Sequence, residues 1–307
     1  MSKTTPESAA WDAYWKDRKG EDVKALTGIE HDRELAAFWT SALESQDKSA
    51  PFLDMACGAG TVLKTAHGLG FTDLHGADVA PAAITALSQT LPSVKGTVCP
   101  ATATPFEDGA FATITSQFGF EYAGVEAAAK EVARLLAPGG RFAAIVHMAG
   151  GAIHDEVAGH VDHCKTIAES GYVEKARALF RSVYSGNVEA MNNSIAYMAD
   201  AREKVFGLVV PGRPSLAAHL TAGTAELWDK RDNHALEDIL AWLTAMDGQR
   251  IAFQLRMQAM LDAALTQEQI EGVVATLSAE GLVAEAPAAF ELGGEPAAWA
   301  LKATRAA

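Results

Sequence analysis

Several residues in the stretch FLDMACGAGTVL could do chemistry together. Asp54 stands at the end of a short apolar run, and Ala56, Cys57, Gly58 and Gly60 follow it. An acid ahead of small residues and two glycines suits a turn that lets backbone approach a ligand, because glycine carries no Cβ. Two phosphate-binding patterns fail here. A phosphate loop of the form G-x-x-x-x-G-K-[ST] needs a lysine directly after its last glycine, and Lys64 lies four residues past Gly60. A dinucleotide fingerprint G-x-G-x-x-G needs a third glycine where Leu63 stands. A second acid, Asp78 in HGADVAPAAI, follows Asp54 by 24 residues.

Two other clusters invite a chemical reading. HDEVAGHVDHC holds His154, His160 and His163 with Asp162 and Cys164. His160 and His163 are one helical turn apart and could chelate, but the set matches no zinc spacing. His163 and Cys164 point to different faces, so no metal is expected. Trp11 and Trp15 in WDAYW fall at i, i+4 on one helix face. They either anchor a helix to the core or turn their faces to a cationic ligand, and both readings stay open.

The elements that must position these residues alternate. PFLDMA is a short strand, and TVLKTAHGLG is a helix stopped by glycine. DLHGADVA, VKGTVCPA, GAFATITSQF and RFAAIVHM read as four more strands. PAAITALSQT, with proline at its first helical position, and VEAAAKEVARLLAPGG lie between them as helices. Such alternation over about residues 50–148 predicts a doubly wound, mostly parallel sheet with ligands beyond the carboxyl ends of its strands. From 150 to 263 the alternation stops, and helices are expected at 153–169, 172–184, 187–206, 222–245 and 248–263. It resumes with TQEQIEGVVATLSAEG, where Thr266 and Gln269 form a capping-box pair, and with two strands, LVAEAPAAFEL and AWALKATR. The expected division is 1–48 as a helical cap, 49–149 with 264–307 as the core, and 150–263 as a helical insertion.

Composition bounds the class. The chain has 307 residues, 49% of them hydrophobic, and a net charge of −14. That charge repels nucleic-acid backbones, and no basic cluster offsets it. The three cysteines stand in unrelated contexts, which argues for a reducing compartment rather than a disulfide framework. No signal-peptide pattern opens the sequence and no long apolar run suggests a membrane span, so a cytoplasmic protein is expected.

The order of D-x-A-C-G-x-G, Asp78, TPFEDGAF and LLAPGGRFAAIV resembles the class I, Rossmann-like S-adenosylmethionine-dependent methyltransferases of the small-molecule type. The resemblance covers about residues 50–148, and more weakly 266–305. It implies a seven-stranded sheet with an all-helical insertion after the fifth strand, and S-adenosyl-L-methionine as cofactor, leaving as S-adenosyl-L-homocysteine. It implies Asp54 for the ammonium of the methionine tail, Ala56, Gly58 and Gly60 for the close turn, and Asp78 with Val79 for the ribose hydroxyls. Gln117, at the end of the fourth strand, joins the cofactor set. Pro100 occupies the place of the usual adenine-binding acid, which leaves backbone at Ala101, Thr102 or apolar packing to hold that base. Some small-molecule members close a W-x-x-x-W element over the cofactor, which would give Trp11 and Trp15 that role.

The insertion would then form a lid over a small, partly apolar acceptor and could carry a homodimer contact. Where the acceptor gives up a proton, His147, Glu121 and Tyr122 are the candidate catalytic residues. The sequence after the fourth strand, SQFGFEY, lacks the N-P-P-Y run of methylases acting on bases. Two alternatives remain at this point: a non-methyl or coupled cyclisation reaction on the same fold, and a non-catalytic cofactor-binding scaffold.

Overall fold

The computed structural model describes Asp12, Trp15, Lys16 and residues 29–307, of which 29–32 are described by their backbone alone. Helix α1 (Ile29–Leu43) leads into β1 (Phe52–Met55), α2 (Thr61–Gly68), β2 (Leu74–Asp78), α3 (Pro81–Thr90) and β3 (Lys95–Val98). Next come β4 (Phe111–Gln117), a single 3-10 turn at Phe120–Ala123, α4 (Val125–Leu135) and β5 (Leu136–His147). After a helical stretch the sheet is completed by α10 (Gln267–Ala279), β6 (Leu282–Ala284), β7 (Ala288–Leu292) and β8 (Glu295–Arg305).

Among the described residues the sheet has eight strands in the order β3-β2-β1-β4-β5-β8-β6, with β7 also paired to β8. Strands β1 to β5 run parallel, and β8 runs antiparallel to β5. The order reverses between β1 and β4, where an open sheet of this kind leaves its crevice. Eight strands replace the expected seven because LVAEAPAAFEL is broken. Its two halves, β6 and β7, lie one after the other along the same edge of β8. Pro287 sits in the gap, and proline has no N–H to give to a ladder. The expected doubly wound, mostly parallel sheet is otherwise present.

Alternation along β5 builds the two layers. Phe142, Ala144 and Val146 pack against α4 and α10 through Ala128, Ala129, Val132, Ile270 and Val273. Ile145 and Ala143 face the opposite layer, which contains Leu35, Trp39 and Leu43 of α1 and Val62 and Leu63 of α2. Each fully buried Val, Leu, Ile or Phe side chain among these contributes about 1.5–3 kcal/mol. The expected capping box opens α10, with Gln269 N–H donating to Thr266 Oγ1 and Thr266 N–H donating to Gln269 Oε1.

Residues Val157–Gln258 form a separate compact unit, which the chain enters along α5 (Ala152–Ser170) and leaves along α9 (Leu236–Ala263). Between them lie α6 (Tyr172–Tyr184), α7 (Val188–Phe206) and α8 (Leu216–Asp229). Tyr172, Phe180, Met198, Leu220, Ile239 and Leu243 make its core. The expected helices 222–245 and 248–263 are corrected here. The break falls at the polar run after Asp229, where the Tyr184 hydroxyl bonds the carbonyls of Arg231 and His234. No break occurs at Gly248, so α9 runs unbroken. A single glycine costs a helix only about 1 kcal/mol, which packing of the neighbouring turns overrides.

Candidate cofactor and acceptor site

The carboxyl ends of β1 and β2 carry the two acids. Asp54 is 2% exposed, and its carboxylate accepts from Thr115 Oγ1 at 2.8 Å. Burial lifts its pKa to about 7, the Thr115 bond opposes that lift, and the nearby Asp78 charge adds to it. A carboxyl so placed calls for a cation. Asp78 is held by backbone instead. Its Oδ1 accepts from Ala80 N–H and its Oδ2 from Gly58 N–H, each at 2.9 Å. Burial raises its pKa as well. Each carboxylate oxygen has a second lone pair, so a diol can still donate to both. The Gly58 amide, which a phosphate would need, is already taken by Asp78.

The turn between β1 and α2 is tight for reasons visible in its dihedrals. Gly58 and Gly60 have φ of 52° and 89°, and Ala56 also lies at φ 53°. A Cβ on Gly58 would stand 2.6 Å from Trp15 Cζ2, so the indole lies directly against this turn. Asp12, one turn before Trp15, accepts from Ala82 N–H at 3.4 Å near the start of α3. Trp11 lies outside the described residues. Gly119, past the end of β4, meets Ala56 from the other side, where a Cβ on it would approach the Ala56 Cβ to 2.4 Å. Ala56 thus serves as a contact between two loops as well as a turn residue.

Val79 is 53% exposed beside buried Asp78. In the turn after β3, Ala101 is buried and Pro100 exposed. Thr102 is half-buried in the turn between them and Thr104. This turn is secured by residues the sequence reading missed. Thr104 gives both its N–H and its hydroxyl to Glu131 Oε1 at 2.7 Å. Arg134 clamps Glu131 and donates to the carbonyls of Phe106 and Thr104. The signal was an acid in the apolar stripe of α4 with an arginine three residues on.

At the ends of β4 and β5 the structure brings the three catalytic candidates together. His147 Nδ1 lies 2.6 Å from Glu121 Oε1, and the same oxygen accepts His147 N–H at 2.9 Å. Both residues are buried. The other Glu121 oxygen, Oε2, is buried and finds no donor among the described residues. The Phe118 ring lies 4.5 Å from the His147 ring, and Tyr122 presents its ring edge-on to it at 5.9 Å. Burial pushes the Tyr122 phenol well up, so it stays protonated. Phe118 has a left-handed φ of 52°, a strained conformation for an aromatic residue. Gln117, one residue earlier, accepts the Trp39 indole N–H on its Oε1 at 2.6 Å.

The histidine-rich stretch does not assemble. His154 stands beside exposed Asp155, and the His160 ring packs near Phe253. Among the described residues no group of three or more His, Cys, Asp or Glu could hold a metal ion. Cys57, Cys99 and Cys164 are free and buried, and burial raises all three thiols. None needs a redox role. No helix among the described residues is long and apolar enough to cross a membrane.

Residues 52–140 match the family model of a methyltransferase domain. No curated protein matches the chain. Among solved structures, geranyl diphosphate C-methyltransferase from Streptomyces coelicolor A3(2), in complex with Mg2+, geranyl diphosphate and S-adenosyl-L-homocysteine, is 15% identical, with 100% of each chain covered and a TM-score of 0.43. The S-adenosylmethionine dependent methyltransferase from Mesorhizobium loti is 18% identical over 36% of this chain and 52% of its own, with a TM-score of 0.34. The CcbJ methyltransferase from Streptomyces caelestis is 18% identical over 43% of this chain and 55% of its own, with a TM-score of 0.36. The chain therefore spans about half the length of the last two. Likenesses this distant carry no argument about the substrate of this chain.

Proposed function

We propose that the chain, whose residues 52–140 match a methyltransferase-domain model, is a class I methyltransferase with S-adenosyl-L-methionine as its cofactor and transfers a methyl group to an O, N or C atom of a small, partly apolar metabolite. When bound, the cofactor supplies a methyl on a cationic sulfur with a neutral thioether as leaving group. The residues present fit it. Asp54 offers its buried carboxylate to the ammonium. Asp78 keeps lone pairs for the ribose hydroxyls, with Val79 beside them. Ala101 and Thr102 flank the adenine, and Trp15 covers the Gly58 turn. Positioning and exclusion of water then supply most of the catalysis.

The observation that carries this reading is the pair of buried acids at successive strand ends, around a turn whose amide is already committed to Asp78. Such a site suits an ammonium and a diol and rejects a phosphate. At the acceptor side Glu121 holds the Nδ1 side of His147, so Nε2 is the basic atom left to take a proton. Phe118 and Tyr122 pack against the ring that carries it. The helical unit is inserted in the chain a few residues past His147, and that connectivity supports its reading as a lid on the acceptor. Its exposed Val188, Ile195 and Phe206 on α7 support a homodimer contact there, which light scattering across a concentration series tests. The charge of −14 supports a partner other than nucleic acid.

The test is calorimetry with S-adenosyl-L-homocysteine. Asp78→Ala should weaken binding by about 1.5–3 kcal/mol, the scale of a lost charged hydrogen bond, which is roughly 10- to 150-fold. Unchanged affinity in a folded variant would remove the ribose assignment. Binding with no turnover on any small acceptor would favour the scaffold alternative.

A further inference from the structure

Gln117 ends β4 two residues beyond Thr115, so the two side chains share one face of the strand. On that face Thr115 is in register with Asp54 and donates to its carboxylate. Trp39 reaches the same face from α1, and its ring nitrogen lies 2.6 Å from Gln117 Oε1. An indole N–H can only donate. The contact therefore fixes which end of the amide faces Trp39. Oε1 is taken, and Nε2, with two N–H donors, is turned away from it. Among the described residues Nε2 has no hydrogen-bond partner. Trp39 is 1% exposed, and Glu34, on the same helix, is tied to Gly293 N–H. The indole is thus locked, and the amide with it.

We propose that Gln117 Nε2 receives the carboxylate of the cofactor's amino acid tail, with Trp39 as the positioning residue that holds the amide in this orientation. The inference rests on the cofactor reading above. An α-amino acid carries its ammonium and carboxylate on one carbon. Their receivers must then be neighbours, and one pleat of strand, about 7 Å, separates the Thr115–Asp54 pair from Gln117. A neutral amide suits this place. It supplies donors to the carboxylate without adding a cation that would compete with the ammonium for Asp54.

Two ligands separate the subsite from the rest of the cofactor. S-adenosyl-L-homocysteine carries the tail, and 5′-methylthioadenosine lacks both its charged groups. Calorimetry on Gln117→Leu should show at least a tenfold loss for the first and less than twofold for the second. Gln117→Glu still accepts from Trp39 but turns an oxygen toward the carboxylate, so it should lose more. Trp39→Phe should lose part of the affinity, and Gln117→Leu added to it should cost less than in the wild type. Equal losses for both ligands, or none, would overturn the proposal. A folded wild type that binds neither ligand would instead remove the cofactor reading on which it stands. Should Trp39→Phe fail to fold, the two Gln117 variants decide the matter alone.

Discussion

The two ends of the crevice are built differently. At β1 and β2 the acid most fully held, Asp78, is held by backbone: two amides, from Gly58 and Ala80, fix both its oxygens. At β4 and β5 the groups are held by one another. Glu121 grips His147 through ring and main chain with a single oxygen, and leaves Oε2 without a donor among the described residues. A buried carboxylate oxygen left so costs about 1–3 kcal/mol. A backbone-held acid such as Asp78 is satisfied before any ligand arrives, which suits recognition. A side-chain pair with spare hydrogen-bonding capacity is costly to keep and suits proton handling. On the function proposed above, the difference separates a binding half from a reacting half within one sheet edge.

The largest expected effect breaks the reacting half alone. His147→Ala should lower turnover by about 10²- to 10⁴-fold, the usual scale for a general base, with S-adenosyl-L-homocysteine affinity within about threefold of wild type by calorimetry. Glu121→Gln keeps the shape but weakens the grip on Nδ1, and should shift the pH profile of turnover as well as its height. Parallel losses of turnover and cofactor affinity would erase the division between the two halves. Unchanged rates in both variants would leave positioning as the whole mechanism.

A smaller effect sharpens the binding half. Burial holds Asp54 at a pKa of about 7 in the free protein, opposed by Thr115 and reinforced by Asp78. An ammonium favours the ionised form, so ligand binding must expel a proton wherever Asp54 is protonated. Affinity for S-adenosyl-L-homocysteine should therefore fall as pH drops below about 7, approaching tenfold per pH unit. The stability of the ligand-free protein moves the other way. A carboxyl whose folded pKa exceeds its unfolded value of about 3.9 favours folding most at low pH. That contribution is lost as pH rises from about 4 to about 7. Asp54→Asn should flatten both trends, and 5′-methylthioadenosine should bind with no such dependence in the wild type. A flat affinity profile for S-adenosyl-L-homocysteine would separate Asp54 from the ammonium.

Much of this was legible in the chain and some was not, for a physical reason. Strand and helix alternation, the Thr266 cap and the position of Asp78 follow from short-range patterns that a sequence displays directly. Pro287 was visible too, yet its power to split a strand depends on which edge of β8 it lies against. The pairing of Glu121 with His147 spans two strands, and only the parallel register of β4 on β5 brings them together. Trp39 and Gln117 stand 78 positions apart, so their bond leaves no local trace. The helix limits after Asp229 were misplaced because propensity at a polar turn yields to a tertiary bond from Tyr184.

The smallest effect lies at the turn after β3, proposed above to flank the adenine, which belongs to neither half. Glu131 is buried in α4. Burial alone would raise its pKa, but bonds from Arg134 and Thr104 more than offset this, and the net pKa is lowered. A carboxylate held below its ordinary value stabilises the fold above that value and loses its contribution as pH falls through the lowered one. Glu131→Gln should therefore cost about 1.5–3 kcal/mol of stability at neutral pH, the scale of hydrogen bonds to a charged group. The cost should shrink in acid, as followed by denaturant unfolding at a series of pH values. Because Glu131 fixes Thr104 rather than a ligand, affinity for both adenosyl ligands should weaken together and only a few-fold. A selective loss for the ligand bearing the amino acid tail would show that the adenine turn and the Asp54 end are coupled, and that the crevice is held as one piece.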